Sequence, residues 1–184
     1  DGKRVLVTGH TGFKGSWLCL WLNELGAEVF GASLPPDTKY NHWNLINLAI
    51  DVHLCDIRDS VHVEQIIKKI QPQIVFHLAA QPLVRRSYKD PLETWTTNVI
   101  GTVNLLNAAK NYWIDERDHL FYHISTDEVY GSLGLNGSFK ETTKYDPKSP
   151  YSASKASSDH FVRSYFHTYN LPVVISNCSY NYGP

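Results

Sequence analysis

The chain has 184 residues, a formal net charge of -1, 42% hydrophobic and 19% charged residues, enough apolar material for one compact domain with a real core. No basic run stands out beyond Lys68-Lys69 and Arg85-Arg86, so nothing points to nucleic acid as a partner. The apolar stretches are short and interrupted and the first residues lack a signal peptide's apolar region, so no membrane span and a cytoplasmic location are expected.

Residues 3–9 (KRVLVTG) form a β-branched, apolar run ending in glycine, the pattern of a buried parallel strand. Phe13, Trp17, Trp21 and Leu25 then recur every four residues, with Leu18 and Leu22 beside them and Gly26 as a stop. This predicts a helix with that stripe against the core, and the five tryptophans are expected mostly in core and helix packing. Residues 27–33 read as a second strand, and a polar, proline-rich loop runs from about residue 34 to residue 44. Strands follow at 51–56, 72–80, 119–125 and 171–178, and helices at 60–70, 91–111 and 151–170.

Strand and helix alternate throughout, which predicts an α/β fold: a doubly wound parallel (Rossmann) sheet in the order 3-2-1-4-5-6, with residues 1–184 as one cofactor-binding domain. The chain ends at YNYGP directly after a strand, so a C-terminal substrate domain of a longer enzyme is expected to be absent from it. Cys19, Cys55 and Cys178 have no CxxC spacing and read as small buried hydrophobes. Nine scattered histidines, of which His119 and His123 lie four apart in a strand, give no metal-site pattern.

Gly9, Gly12 and Gly15 lie three apart between the first strand and the first helix. The first permits the tight turn, the second lets backbone approach a phosphate, and the third lets helix and strand pack closely. The helix N-terminus adds free N–H donors and a positive dipole end, so the loop predicts a bound dinucleotide. The acidic residue that usually ends the second strand is replaced by Ser33. Lys14 is the nearest cation in sequence and Asp37 a substitute carboxylate, which leaves NAD against its phosphorylated form open.

Tyr151 and Lys155 lie four apart near a helix start and share a face. A phenol of pKa about 10 needs roughly 4 kcal/mol of differential stabilisation to act as a base near pH 7, at 1.36 kcal/mol per pH unit; an ammonium and a positive nicotinamide ring supply it together. Thr126, Asp127 and Glu128 follow an apolar run, at the carboxyl end of a strand where such sheets bind ligands. Two adjacent carboxylates there fit either a charged turn or an acid and a base with separate tasks.

TGHTGFKG, CDIRD, HLAAQ, STDEVYG, SPYSASK and NCSYNYGP together resemble the extended short-chain dehydrogenase/reductase superfamily, in its nucleotide-sugar 4,6-dehydratase family. Residues 123–184 are most similar to the dTDP-glucose enzymes, whereas HTGFKGSWL and FHLAAQPLVRRSY look closer to the CDP-glucose and GDP-mannose relatives. The resemblance implies a nucleotide-sugar substrate, NAD as cofactor and a homodimer formed through the helices at 91–111 and 151–170. It places cofactor contacts on Phe13, Lys14, Asp56, Ile57, Ala79, Ala80, Gln81, Thr97, Tyr151, Lys155 and Asn181. Ser33, Leu83 and Tyr180 depart from the dTDP pattern, which has aspartate, histidine and asparagine there.

On this reading Thr126 orients the sugar, Tyr151 with Lys155 takes the C4 hydroxyl proton, Glu128 takes the C5 proton and Asp127 protonates the departing C6 hydroxyl. A 4-epimerase would share the cofactor loop and the Tyr151-Lys155 pair but need no acid and base beside Thr126. A catalytically silent NAD-binding module or fragment is the third reading. Arg85-Arg86 is either a solvated loop or an approach to substrate phosphates.

Overall fold

In the computed structural model, which describes residues 2–113, 118–134 and 136–183, strand β1 (Arg4–Thr8) is the centre of a six-stranded parallel sheet. Beside it lie β2 (Glu28–Ser33) and β4 (Ile74–His77); β3 (Asp51–Leu54) is one edge, and β5 (Leu120–Thr126) with β6 (Val173–Cys178) completes the other side. The order 3-2-1-4-5-6 is the one that the alternation of strands and helices predicts. Pro184, last residue of the NCSYNYGP motif, lies outside the described residues.

Side chains of β1 alternate between two cores, as a pleated strand requires. Leu6 packs with Val75, Phe121 and the inner faces of α3 (Ser60–Ile70), α6 (Gly101–Tyr112) and α7 (Pro150–Tyr169). Val5 and Val7 point the other way, to Cys19 and Val29. Cys19 and Cys55 are buried as expected, while Cys178 is half-buried.

Helix α1 (Phe13–Glu24) departs from its expected orientation. Gly15, Ser16 and Cys19 form its packed face, with Leu18 and Leu22 at the border, whereas Phe13, Trp17, Trp21 and Leu25 are exposed, Trp21 at 65%. The reason is steric: the small face comes so close to the glycine loop that bulk there would collide with backbone, so the large stripe turns outward. Trp17 stacks on His42 at 4.2 Å, and among the tryptophans Trp113 is the buried one, its indole N–H donating to the Pro72 carbonyl at 2.9 Å.

The loop expected after β2 contains a short helix, α2 (His42–Ile46), capped by Asn41. The Arg85-Arg86 pair, expected in a solvated loop or at substrate phosphates, lies instead in a short helix, α4 (Val84–Lys89). The single helix expected at 91–111 is α5 (Pro91–Trp95) followed by a π turn at Thr96–Ile100 and then α6. Thr94, Asn98 and Thr102 are buried polar side chains along this stretch, and satisfying them against the strand ends favours the wider turn.

Candidate active site

The carboxyl ends of β1, β2, β4 and β5 open into one cleft of about 1210 Å³. It is lined by Gly9, Gly12, Phe13, Lys14 and Gly15 at one end, by Ser33, Asp56 and Ile57 on one flank, by Ala79, Ala80, Gln81 and Thr97 on the floor, and by Thr126, Asp127, Glu128, Tyr151 and Asn181 at the far end. Lys155 alone of the expected site residues is not at the surface of this cleft.

The glycine loop fits a dinucleotide. Gly9 adopts φ +74°, and a methyl on it would stand 2.8 Å from the Ala79 amide nitrogen. A methyl on Gly15 would stand 2.1 Å from the Gly9 carbonyl oxygen. Gly12 is the N-cap of α1 and carries no capping side chain, so the first amides of a 12-residue helix face the cleft and leave room for a pyrophosphate. At the end of β2, Ser33 donates to the Leu34 carbonyl at 2.9 Å and lies 3.0 Å from the Thr11 hydroxyl, with Asp37 on the cleft wall nearby. Asp56 is held by Arg58 in a bidentate pair that keeps its carboxyl below the ordinary range.

The floor is fixed by residues that sequence reading did not single out. Asn98, in the π turn, accepts from the Gln81 amide at 2.7 Å and donates to Ser154 on α7 at 2.8 Å, tying Gln81 to the tyrosine helix. Gln81 in turn donates to Thr94 at 2.8 Å. The neighbouring Thr97 is a cleft residue, which was the one sequence signal available for Asn98. Arg86, on α4, pairs with Glu93 at 2.7 Å, and both reach the cleft wall.

Helix α7 begins with Pro150 after an N-cap Ser149 whose capping box with Ser152 locks the first turn, and Tyr151 sits in that turn facing the cleft. Opposite it, Thr126 ends β5, accepts from the Glu128 amide at 3.3 Å and donates to Asp127 Oδ1 at 3.4 Å, so the three residues turn together as a 3₁₀ turn at Asp127–Tyr130. Burial and then the Asp127 charge push the Glu128 carboxyl up.

The Tyr151 phenol is pushed up to about 12, by burial first and then by Glu128, against a Thr126 hydroxyl that favours the phenolate. The expected lowering by Lys155 is absent from this arrangement, because the ammonium is directed inward and donates to the Ile124 carbonyl at 2.7 Å. Burial brings the Lys155 ammonium down to about 8.

No metal-ligating cluster of His, Cys, Asp or Glu occurs among the described residues, and no described helix is long and apolar enough to cross a membrane.

The family model described as GDP-mannose 4,6 dehydratase matches residues 6–184. The dTDP-glucose 4,6-dehydratase of Xanthomonas campestris pv. campestris is 52% identical over 97% of this chain and 53% of its own. Among solved structures, dTDP-glucose 4,6-dehydratase from Streptomyces venezuelae, with NAD bound, superposes with a TM-score of 0.84 at 34% identity over 98% of this chain and 57% of its own. The UDP-glucose 4-epimerase of Thermus thermophilus, also with NAD, gives a TM-score of 0.84 at 32% identity over 95% of this chain and 54% of its own. The chain thus spans about half the length of the curated relatives it matches. By the extent of these matches it belongs to the GDP-mannose 4,6-dehydratase family of extended short-chain dehydrogenases/reductases.

Proposed function

We propose that residues 1–184 are the NAD-binding domain of a cytoplasmic nucleotide-sugar 4,6-dehydratase that converts a dTDP-glucose-like nucleotide hexose to its 4-keto-6-deoxy product. The observation that supports this most is that Asp127 and Glu128 line the same cleft as Thr126 and Tyr151. Oxidation alone needs a hydroxyl to hold the sugar and a phenolate to accept its proton. Two further carboxyls suit an elimination.

Thr126 orients the hexose through its hydroxyl, and Tyr151 accepts the C4 hydroxyl proton. NAD, which the glycine loop and the cleft floor at Ala79, Ala80 and Gln81 would hold, would supply hydride acceptance at C4, hydride return at C6 and a positive ring charge favouring the phenolate. The C4 ketone acidifies C5, and Glu128 in its ionised form removes that proton, while Asp127 enters the step protonated. Asp127 protonates the departing C6 hydroxyl, which leaves as water. The proton on Glu128 returns to C5, the proton gained by Tyr151 replaces the one given up by Asp127, and hydride lost at C4 is regained at C6, so the sugar ends with no net oxidation.

The test is product analysis of the complete protein with dTDP-glucose. The expected product is the 4-keto-6-deoxy sugar; Glu128→Gln should stop elimination while reduced cofactor from C4 oxidation is still seen in the ultraviolet. Unimpaired turnover by Glu128→Gln would remove the proposed base. The equal superposition on a 4-epimerase supports a second reading, under which the product keeps its C6 hydroxyl and is inverted at C4. A chain that binds NAD and turns nothing over would support the silent module. Exposed Trp95, Ile100, Phe161 and Phe166 on the helices around residues 91–112 and on α7 support a homodimer through these helices, which sedimentation of the complete protein would test.

A further inference from the structure

Behind Tyr151, on the side away from the cleft, lies a cluster of ionisable side chains that the proposed proton transfers do not use. Asp159, one turn after Lys155 on α7, is completely buried, as is His123 on β5. One Asp159 oxygen receives the Ser125 hydroxyl at 2.8 Å, the Tyr145 hydroxyl at 2.9 Å and the Asn177 amide at 3.3 Å. The other oxygen faces His123 Nε2 at 3.3 Å. Lys155 Nζ stands 3.5 Å from that same ring nitrogen and donates to the Ile124 carbonyl.

We propose that Asp159 is the positioning residue and counter-charge of Lys155, acting across the neutral His123 ring that stands between them. The inference rests on the proposed function only in taking Tyr151, one turn before Lys155 on α7, as the base. His123 Nε2 accepts from Lys155 as a lone pair at 3.5 Å, and Asp159 Oδ1, 3.3 Å from the same nitrogen, has no hydrogen-bond partner among the described residues. His123 Nδ1 likewise has no partner there, so the ring separates the ammonium from the carboxylate without joining them by a hydrogen-bond relay.

Burial holds His123 down to about 4, with Lys155 acting in the same direction, and this ring is neutral at pH 7. Three donors and the nearby ammonium keep Asp159 ionised despite its burial. The cluster therefore holds one cation and one anion. The other groups that act on the ammonium are Lys14 in the first turn of α1, which disfavours it, Cys178 on β6, and the neutral His77 on β4, whose Nδ1 lies 2.8 Å from the Thr8 hydroxyl. Asp159 is the strongest favourable charge among them. Without it, the buried ammonium loses its counter-charge and gives up its proton at lower pH.

A side-chain NMR titration of lysine in the complete protein tests this, with the Lys155 signal assigned by its loss in Lys155→Met. The parent midpoint is expected near 8. Asp159→Asn should lower it by about one pH unit or more, and Asp159→Glu should restore most of the difference. An unchanged midpoint in a folded Asp159→Asn protein overturns the proposal. If Asp159→Asn alone does not fold, Lys155→Met/Asp159→Asn should recover a cooperative melt, since neither charge is then left alone. A double variant no more stable than the single also overturns it. The titration needs no turnover, so a shifted midpoint without dehydratase product sinks the functional reading and not this one, and product with an unshifted midpoint does the reverse.

Discussion

Gly9 and Gly15 meet so closely that a methyl group on Gly15 would stand 2.1 Å from the Gly9 carbonyl oxygen. Backbone, not a flexible side-chain tip, is the obstacle, so Gly15→Ala has to push α1 away from β1. Overpacking of this kind costs about 1–3 kcal/mol, which for a chain of this size lowers Tm by roughly 2–12 °C. It also spoils the loop that fits a pyrophosphate, and NAD affinity should fall by about tenfold or more, the equivalent of 1.4 kcal/mol. Gly134→Ala, which meets nothing within 4 Å, is the control and should change neither quantity. Calorimetry and a cofactor titration decide it; a Gly15→Ala protein that melts with the parent would show that the helix gives way freely.

The Glu128 carboxyl is pushed up by burial and by the charge of Asp127. A base must be deprotonated, so turnover should fall as pH drops through a midpoint above the ordinary glutamate value of about 4.3. Asp127→Asn removes the neighbouring charge, and the Glu128 midpoint then moves down. Carboxyl-carbon NMR reads that midpoint directly, without relying on activity that Asp127→Asn is expected to abolish. An identical Glu128 midpoint in the two proteins would mean that the carboxyls do not act on each other.

His10 and His123 are each brought down from 6.5 to about 4, by burial above all. In the unfolded chain both take up protons first. Native stability is therefore intact above about pH 6.5 and is lost as pH falls towards 4, by up to about 3 kcal/mol per histidine at 1.36 kcal/mol per pH unit. Urea unfolding at pH 7, 6 and 5 should show the decline. His10 sits against Gly31 and meets Trp43 edge-on at 4.6 Å, a contact that phenylalanine can keep. In His10→Phe the slope with pH should be shallower by about one proton; a slope equal to the parent's would take His10 out of the account.

The sheet order and the residues at its carboxyl edge were readable because they depend on local signals: β-branched runs, glycines at fixed spacing, and Tyr151 four residues before Lys155. The face of α1 was not, since a four-residue repeat of bulky apolar side chains says which residues share a side and nothing about which side packs. Close approach at Gly15 decides that, and it is a tertiary fact. The π turn was hidden for a related reason. Asn98 and Thr102 look like ordinary helix residues until Gln81, His77 and Ser154 come from distant parts of the chain to bond them. Lys155 follows Tyr151 by one turn of α7, but its direction is set by the Ile124 carbonyl, which shares no motif with it.

Ser33 ends β2 where a carboxylate would accept the adenosine ribose hydroxyls and repel a 2′-phosphate. Its hydroxyl is engaged with the Leu34 carbonyl and Thr11, so the site offers neutral hydrogen-bonding groups at that point. Discrimination between NAD and NADP should therefore be weak, within about tenfold, or 1.4 kcal/mol. Ser33→Asp places a charge beside the position of the extra phosphate, and like-charge repulsion should widen the preference for NAD by about tenfold or more, mainly by weakening NADP. Equilibrium titration of both cofactors against parent and variant measures this. A parent that already rejects NADP strongly would locate the discrimination elsewhere, with Asp37 on the same wall of the cleft the next residue to change.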